Sequence, residues 1–511
     1  MQNIKHINLY KQIVAGLIGL IGTITILSLT VQHGTGITPD SVVYISVARN
    51  FADHNTFIMY NGSVLVLQPP LYPIVLALIK KILLIDPQVS TSYVNAILFG
   101  LIIYLSGSFL LKYLKSVALS ILGTISILIS YALVQVSLMA LSEPLFILLI
   151  LLFIYHFDKF RSKQDYTSLF LLSIWASLAC LTRYTGIVII LTGIILILTH
   201  QKSNFKKKIL QSLVFILITV LPIGIWIIRN YFISGTTIGQ RAESSYSLSQ
   251  NLRFFYDTIL LWYLPADSIF IYLILFTFLS AAWILFKLNF DKPYDFKINY
   301  KIVPSLLFAL FYSCFIIISS TTTAYDRISD RLLSPIYIPA VFLLFFILDK
   351  ILSWLSLRFN KYVVNIVLII CVITFLRFPL HNTLYIIEEF RNQSGSGYNS
   401  VSWSNSETIE FLIKHKLLEN NFTLYSNEPE AVYAFTNLKI EYSPAKTFYN
   451  SPQLLNADQN SNIFCMGTNN GYLIWFKEAN RSFLFTIEEL QINFDLTEVA
   501  SFDDGEIYTF N

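Results

Sequence analysis

Asp40 is the first acidic residue of the chain and follows its first long apolar run. Glu143, in Leu141-Ser142-Glu143-Pro144-Leu145, stands at the entry to another run, and Arg183, in Thr182-Arg183-Tyr184, links two more. Arg327 and Arg331 are interleaved with Asp326 and Asp330 just before Leu332-Leu333-Ser334-Pro335. Charge costs about 2.5–3.5 kcal/mol at mid-bilayer, so ionisable groups at the edges of apolar runs need a reason. A carboxylate suits a general base that takes a proton from an attacking hydroxyl. Arginines suit a lipid-borne phosphate and stabilise negative charge on a leaving group. Together the set fits transfer of a group from a lipid phosphate to an acceptor. Each member also has a plainer role open to it. Asp40 can favour the N-terminal dipole of a surface helix, Glu143 can start a helix ahead of Pro144, and Arg183 can snorkel to headgroups. Arg327 and Arg331 can pair with the neighbouring aspartates.

These residues need elements to hold them. Thr38-Pro39-Asp40 reads as a helix start, with Thr38 as N-cap and Pro39 in the first turn. Helical spacing then puts Asp40, Tyr44, Val47 and Phe51 on one stripe. Gln68-Pro69-Pro70-Leu71-Tyr72-Pro73 predicts a rigid bend before an apolar, membrane-surface run from Ile74 to Leu84. With 55% hydrophobic and 13% charged residues, the chain departs from soluble proteins, where about 25% are charged. Apolar runs at 13–31, 92–111, 118–135, 144–157, 168–181, 184–199, 209–228, 268–286, 302–320, 334–349 and 362–378 give eleven candidate spans. The expected fold is mostly α: a polytopic helical bundle over 1–379, with a small α/β domain over 380–511.

Lysines crowd the short links on one side of these spans, as in Lys206-Lys207-Lys208, and are sparse in the longer loops 32–91, 230–267 and 321–333. The positive-inside rule then predicts a cytoplasmic N-terminus and places those loops and the tail outside. Loop 230–267 carries Arg241 after Gly239-Gln240 and a second expected surface helix, Leu252 to Leu264. In the tail, Ser404-Asn405-Ser406-Glu407 predicts a capping box, 422–426, 471–476 and 506–510 predict strands, and Glu428 to Thr436 predicts a helix. The net charge of +4 gives no support for nucleic acid binding, and no metal-ligand spacing or cofactor motif is visible. No internal repeat points to a transporter built from halves.

The motifs resemble the GT-C superfamily of integral-membrane glycosyltransferases, its protein-mannosyltransferase and aminoarabinose-transferase branch in particular. The resemblance rests on Pro39-Asp40 with Tyr44 and Arg49-Asn50, on Gln68 to Pro73, Ser142-Glu143-Pro144-Leu145, Leu181-Thr182-Arg183-Tyr184-Thr185-Gly186, Arg229-Asn230, and Asp330-Arg331-Leu332-Leu333-Ser334-Pro335. It implies inverting transfer from a polyprenyl-phosphate sugar to a lipid, glycan or protein acceptor on the outer face. Asp40 would be the base, Glu143 the second acidic site residue and Arg331 a phosphate contact. Tyr44, Arg49, Gln68, Tyr72, Arg183, Arg241 and Arg327 complete the expected donor and substrate contacts. Many relatives carry Asp-Glu where Asp40 is followed by Ser41. An Ile-, Asn- and Lys-rich composition hints at a bacterial plasma membrane. The competing class is a non-catalytic lipid or polymer transporter, or a scaffold for the tail.

Overall fold

The computed structural model describes residues 2–200, 204–264, 300–357, 359–415, 422–455, 466, 471–479 and 481–510. Helices dominate as far as Asn392: α1 (Gln2–His33), α2 (Pro39–His54), α3 (Leu71–Leu83), α4 (Pro87–Tyr113), α5 (Val117–Leu128), α6 (Tyr131–Leu138), α7 (Glu143–Lys163), α8 (Tyr166–Thr182), α9 (Ile187–Leu198), α10 (Phe205–Ser234), α11 (Leu248–Leu261), α12 (Val303–Thr322), α13 (Asp330–Leu355) and α14 (Lys361–Asn392). Among the described residues, α1, α4, α10, α12, α13 and α14 are long and apolar enough to cross a bilayer. The expected span 118–135 is instead the pair α5–α6, bent by 43°. The expected spans 144–157, 168–181 and 184–199 fall on α7, on the shorter α8, and on a 3₁₀ turn (Tyr184–Gly186) continued by α9. Span 268–286 lies outside the described residues.

Burial shows what solvates the bundle. Leu213, Leu217, Leu221, Ile225 and Ile228 of α10 recur every three or four residues and are 57–64% exposed, a continuous apolar stripe that fits lipid rather than water. The core runs through α7, where Phe146, Phe153 and Phe160 repeat at two-turn intervals and are fully buried. They join Phe215 of α10, Phe308 and Tyr312 of α12, and Phe342 and Phe345 of α13 in one apolar cluster.

The tail is a five-stranded mixed sheet of β1 (Thr423–Ser426), β2 (Glu441–Tyr442), β3 (Gly471–Phe476), β4 (Leu496–Ser501) and β5 (Gly505–Phe510), ordered β2-β1-β3-β5-β4. β2, β1 and β3 run parallel, β5 returns antiparallel to β3 with Leu473 opposite Tyr508, and β4 pairs antiparallel to β5. Four helices accompany the sheet: α15 (Val401–Ser404), α16 (Glu407–Lys414), α17 (Pro429–Thr436) and α18 (Ile487–Asn493). The expected capping box does not form, and the N-cap lies two residues further on. Ser404 ends α15 and its hydroxyl donates back to the Ser400 carbonyl, so Ser406 caps α16 by accepting from Ile409 N–H at 3.1 Å.

The α2 helix is held from both sides. Tyr44 and Ala48 pack with Tyr72, Leu76 and Ala77 of α3, while Val42 joins the tail core with Tyr398, Ile409, Leu424 and Val432. The backbone just before α2 does the same job. Gly36 N–H donates to the Leu138 carbonyl and Ala140 N–H to the Gly36 carbonyl, while Tyr398 N–H donates to the Ile37 carbonyl. A Cβ at Gly36 would collide with Met139 Sδ, so a larger residue here would force that side chain to shift.

Candidate active site

The pairing of Gly36 with 138–140 decides the site, because it sets the start of α2 beside the start of α7. Thr38 caps α2 with a reciprocal box to Ser41, and Pro39 and Asp40 form the first turn. Ser142 precedes Glu143 on α7, but its hydroxyl is not spent on a cap. It meets Tyr44 Oη at 3.2 Å and accepts from Arg183 Nη1 at 3.3 Å. Arg183 closes α8 in an extended conformation, and the 3₁₀ turn behind it requires Gly186, whose Cβ would lie 2.7 Å from the Cys180 backbone. Arg331 sits in the first turn of α13, where the helix dipole disfavours a cation, so acidic partners must hold it there.

Those partners are Asp40 and Glu143. Arg331 Nε donates to Glu143 Oε1 at 2.8 Å and its Nη2 pairs with Asp40. Arg183 reaches the same Glu143 oxygen at 2.6 Å. Gln68 Nε2 donates to Asp40 Oδ1 at 3.2 Å. The two acids differ in access: the Glu143 side chain is fully buried between two guanidiniums, whereas that of Asp40 is 33% exposed. Burial alone would raise the Asp40 carboxyl, but Arg331, helped by Arg183 and Gln68, brings it below its ordinary value, so it stands ionised. Arg183 Nε and Gln68 Oε1 are buried without a hydrogen-bond partner, as polar groups kept for a ligand would be.

Two cavities meet at the Asp40–Arg331 pair. One, of about 280 Å³, runs into the bundle past Tyr44, Gln68, Arg183, Arg241 and Tyr325. The other, of about 690 Å³, opens between α2 and the tail and is walled by Tyr442, Tyr449 and Phe483. Ala324 N–H donates to the Ala242 carbonyl, which ties loop 321–329 to the stretch that carries Arg241.

A model of the dolichyl-phosphate-mannose-protein mannosyltransferase family matches residues 67–226. The sequence finds no match among curated proteins. The fold is similar to that of ArnT from Cupriavidus metallidurans in the apo state, at TM-score 0.59 and 12% identity, over 96% of this chain and 97% of that one. It is equally similar to ArnT from Cupriavidus metallidurans bound to undecaprenyl phosphate, at TM-score 0.60, 11% identity and the same coverage. The chain has the fold of these ArnT structures.

Within this fold, Asp40, Tyr44, Gln68, Glu143, Arg183, Arg241 and Arg331 come together, and three expected contacts do not. Arg49 lies nine residues past Asp40, which at about 100° per residue is the opposite side of α2. There it forms an ion pair with Asp86 at 2.8 Å and donates to Asn437 of the tail. Tyr72 is fully buried behind the site, edge-on to Tyr44 with ring centres 5.2 Å apart. Arg327 stacks over Phe254 at 4.2 Å, lining neither cavity. Tyr325 and Tyr449 carried no signal in the sequence, and Asp326 stood there only as an ion-pair partner for the neighbouring arginines. Tyr449 Oη and Asn450 Nδ2 both donate to Asp326 Oδ1, at 2.9 and 3.0 Å, which joins the tail to the loop before Arg331.

Proposed function

We propose that the protein is a membrane glycosyltransferase that moves a sugar from a polyprenyl-phosphate donor to an acceptor hydroxyl on the extracytoplasmic face, with inversion. The observation that carries this reading is the convergence of Asp40, Glu143, Arg183 and Arg331 from four separate elements at the junction of two cavities. The likeness to an ArnT structure bound to undecaprenyl phosphate supports a lipid-phosphate donor. The donor phosphate lies in the smaller cavity against Arg183, Arg241 and Arg331. Asp40 takes the proton of the acceptor hydroxyl, the acceptor oxygen attacks the anomeric carbon, and the bond to the phosphate oxygen breaks on the opposite side. The proton stays on Asp40, and the polyprenyl phosphate leaves with the arginines neutralising its charge.

Glu143 has no access to the acceptor and acts as a positioning residue that fixes both arginines. In the structure Arg331 quenches Asp40, which makes it a weak base. A bound phosphate draws Arg331 away, releases Asp40 and restores its basicity, so donor binding arms the base. The domain boundary near residue 380, the cytoplasmic N-terminus and the outward tail belong to the same reading. Protein in lipid nanodiscs, given an undecaprenyl-phosphate sugar and a panel of hydroxylated acceptors, should release undecaprenyl phosphate as the sugar passes to one of them. Asp40→Asn should lower that turnover by about 10²–10⁴-fold while leaving lipid binding intact. Near-normal turnover by Asp40→Asn would sink the assignment.

A further inference from the structure

The two cavities that meet at Asp40 differ in charge. The smaller is lined by Arg183, Arg241 and Arg331 against Asp40 and Asp326. The larger is lined by Asp40, Asp326 and Glu430 against Arg331 and Arg481, so acids outnumber cations there and the reverse holds in the smaller. A phosphate therefore has little to gain in the larger cavity, and an acceptor carrying one would meet acids. The wall contributed by the tail is aromatic. Phe483 stands edge-on to Tyr449 with ring centres 5.4 Å apart and to Tyr442 at 5.9 Å. Tyr442 is held in place because its hydroxyl donates to Glu430 and accepts from Arg481 Nη1 at 2.6 Å. Asn450, fixed on Asp326, adds an amide at the rim, and Ser482 lines the cavity with an exposed hydroxyl.

Rigid aromatic faces beside carboxylates and amides suit the apolar face and the hydroxyls of a pyranose ring. We infer that the larger cavity is the acceptor subsite and takes a neutral, polyhydroxylated sugar end, packed on Phe483 and Tyr449 with its reactive hydroxyl turned to Asp40. The inference rests on the transferase reading and assigns the tail a direct part in choosing the acceptor. A phosphorylated lipid head is disfavoured by the acids, and an extended peptide offers no ring face to the aromatic wall.

The test is saturation-transfer NMR on protein in nanodiscs free of sugar detergents. The probes are the methyl glycosides of glucose, galactose, mannose and N-acetylglucosamine, their 6-phosphates, and a Ser/Thr-rich peptide. At least one neutral glycoside should bind saturably, and its 6-phosphate more weakly. Phe483→Ala removes the wall, and Ser482→Trp fills the cavity without deleting any contact. Each should weaken that binding by about tenfold, while undecaprenyl phosphate binding stays unchanged. The inference is overturned if the 6-phosphates or the peptide bind better than the neutral glycosides. It is equally overturned if neither substitution alters glycoside binding, or if no glycoside binds while undecaprenyl phosphate still does. Failure of the wild-type protein to bind undecaprenyl phosphate is a separate result, and it removes the transferase reading and this inference together.

Discussion

Two arginine–carboxylate clusters face each other across the larger cavity, and they are built to opposite ends. In the tail, Arg481 donates through Nε to Glu428 at 2.8 Å, through Nη1 to Tyr442, and through Nη2 to Tyr398 at 2.8 Å and Glu430 at 2.9 Å. Tyr60 of the first loop adds a hydrogen bond to Glu430 at 3.0 Å. Burial and Glu430 push the Tyr442 hydroxyl well above its usual range, so it stays a neutral donor. Every nitrogen of Arg481 has a partner, and such a network rigidifies. In the bundle, Arg331 likewise holds two acids, but Asp40 keeps an exposed edge and neighbouring polar atoms are left without partners. The same ionic chemistry serves as a clamp when satisfied and as a site when left incomplete.

Substitutions can break this contrast, beginning with the clamp. Arg481→Gln leaves Glu428 and Glu430 buried side by side, which should cost the tail about 3–5 kcal/mol. Limited proteolysis and thermal unfolding would register it, and an unchanged melting temperature would mean the clamp carries no stability. Arg331→Lys keeps the charge but loses the fork that spans Asp40 and Glu143. Turnover should fall about a hundredfold with thermal stability little changed, the reverse of the Arg481 phenotype. The pH profile sharpens the picture of a quenched base. Because the Asp40 carboxyl is held below its ordinary value, kcat/KM should persist into acid and fall only as pH drops beneath that value. On the proposed mechanism the acid limb of kcat, which reports the donor-loaded enzyme, should lie at higher pH, because Arg331 would then pair with the phosphate. Coincident limbs would argue against that release. Arg327→Ala removes only an exposed cation–π contact, worth about 0.5–1 kcal/mol, and turnover should stay near wild type.

Much of this arrangement was legible in the chain itself. Thr38-Pro39 announced the start of α2, the apolar runs marked most of the bundle, and short runs rich in β-branched and aromatic residues marked β1, β3 and β5. Asp40, Glu143, Arg183 and Arg331 stood out because charge beside apolar runs is costly. What could not be read was which of them would meet. Arg49 lay close to Asp40 in sequence, but helical rotation turned it away. Tyr449 lies more than four hundred residues from Asp40, with no local pattern to single it out. The bend between α5 and α6 was also hidden, since apolar composition is the same in a straight span and a broken one.

The seat of α2 between bundle and tail has a consequence for natural variation and for engineering. Ile37, Val42 and Tyr60 fill the same apolar cluster as Tyr398, Ile409, Leu424 and Val432. A tail transplanted from another protein would therefore have to bring a matching socket, or the helix that carries Asp40 would lose its outer support. Exchange of tails between proteins is thus not modular. Chimeras should work only when the first loop and the tail travel together, and substitutions across that seam should compensate one another rather than add.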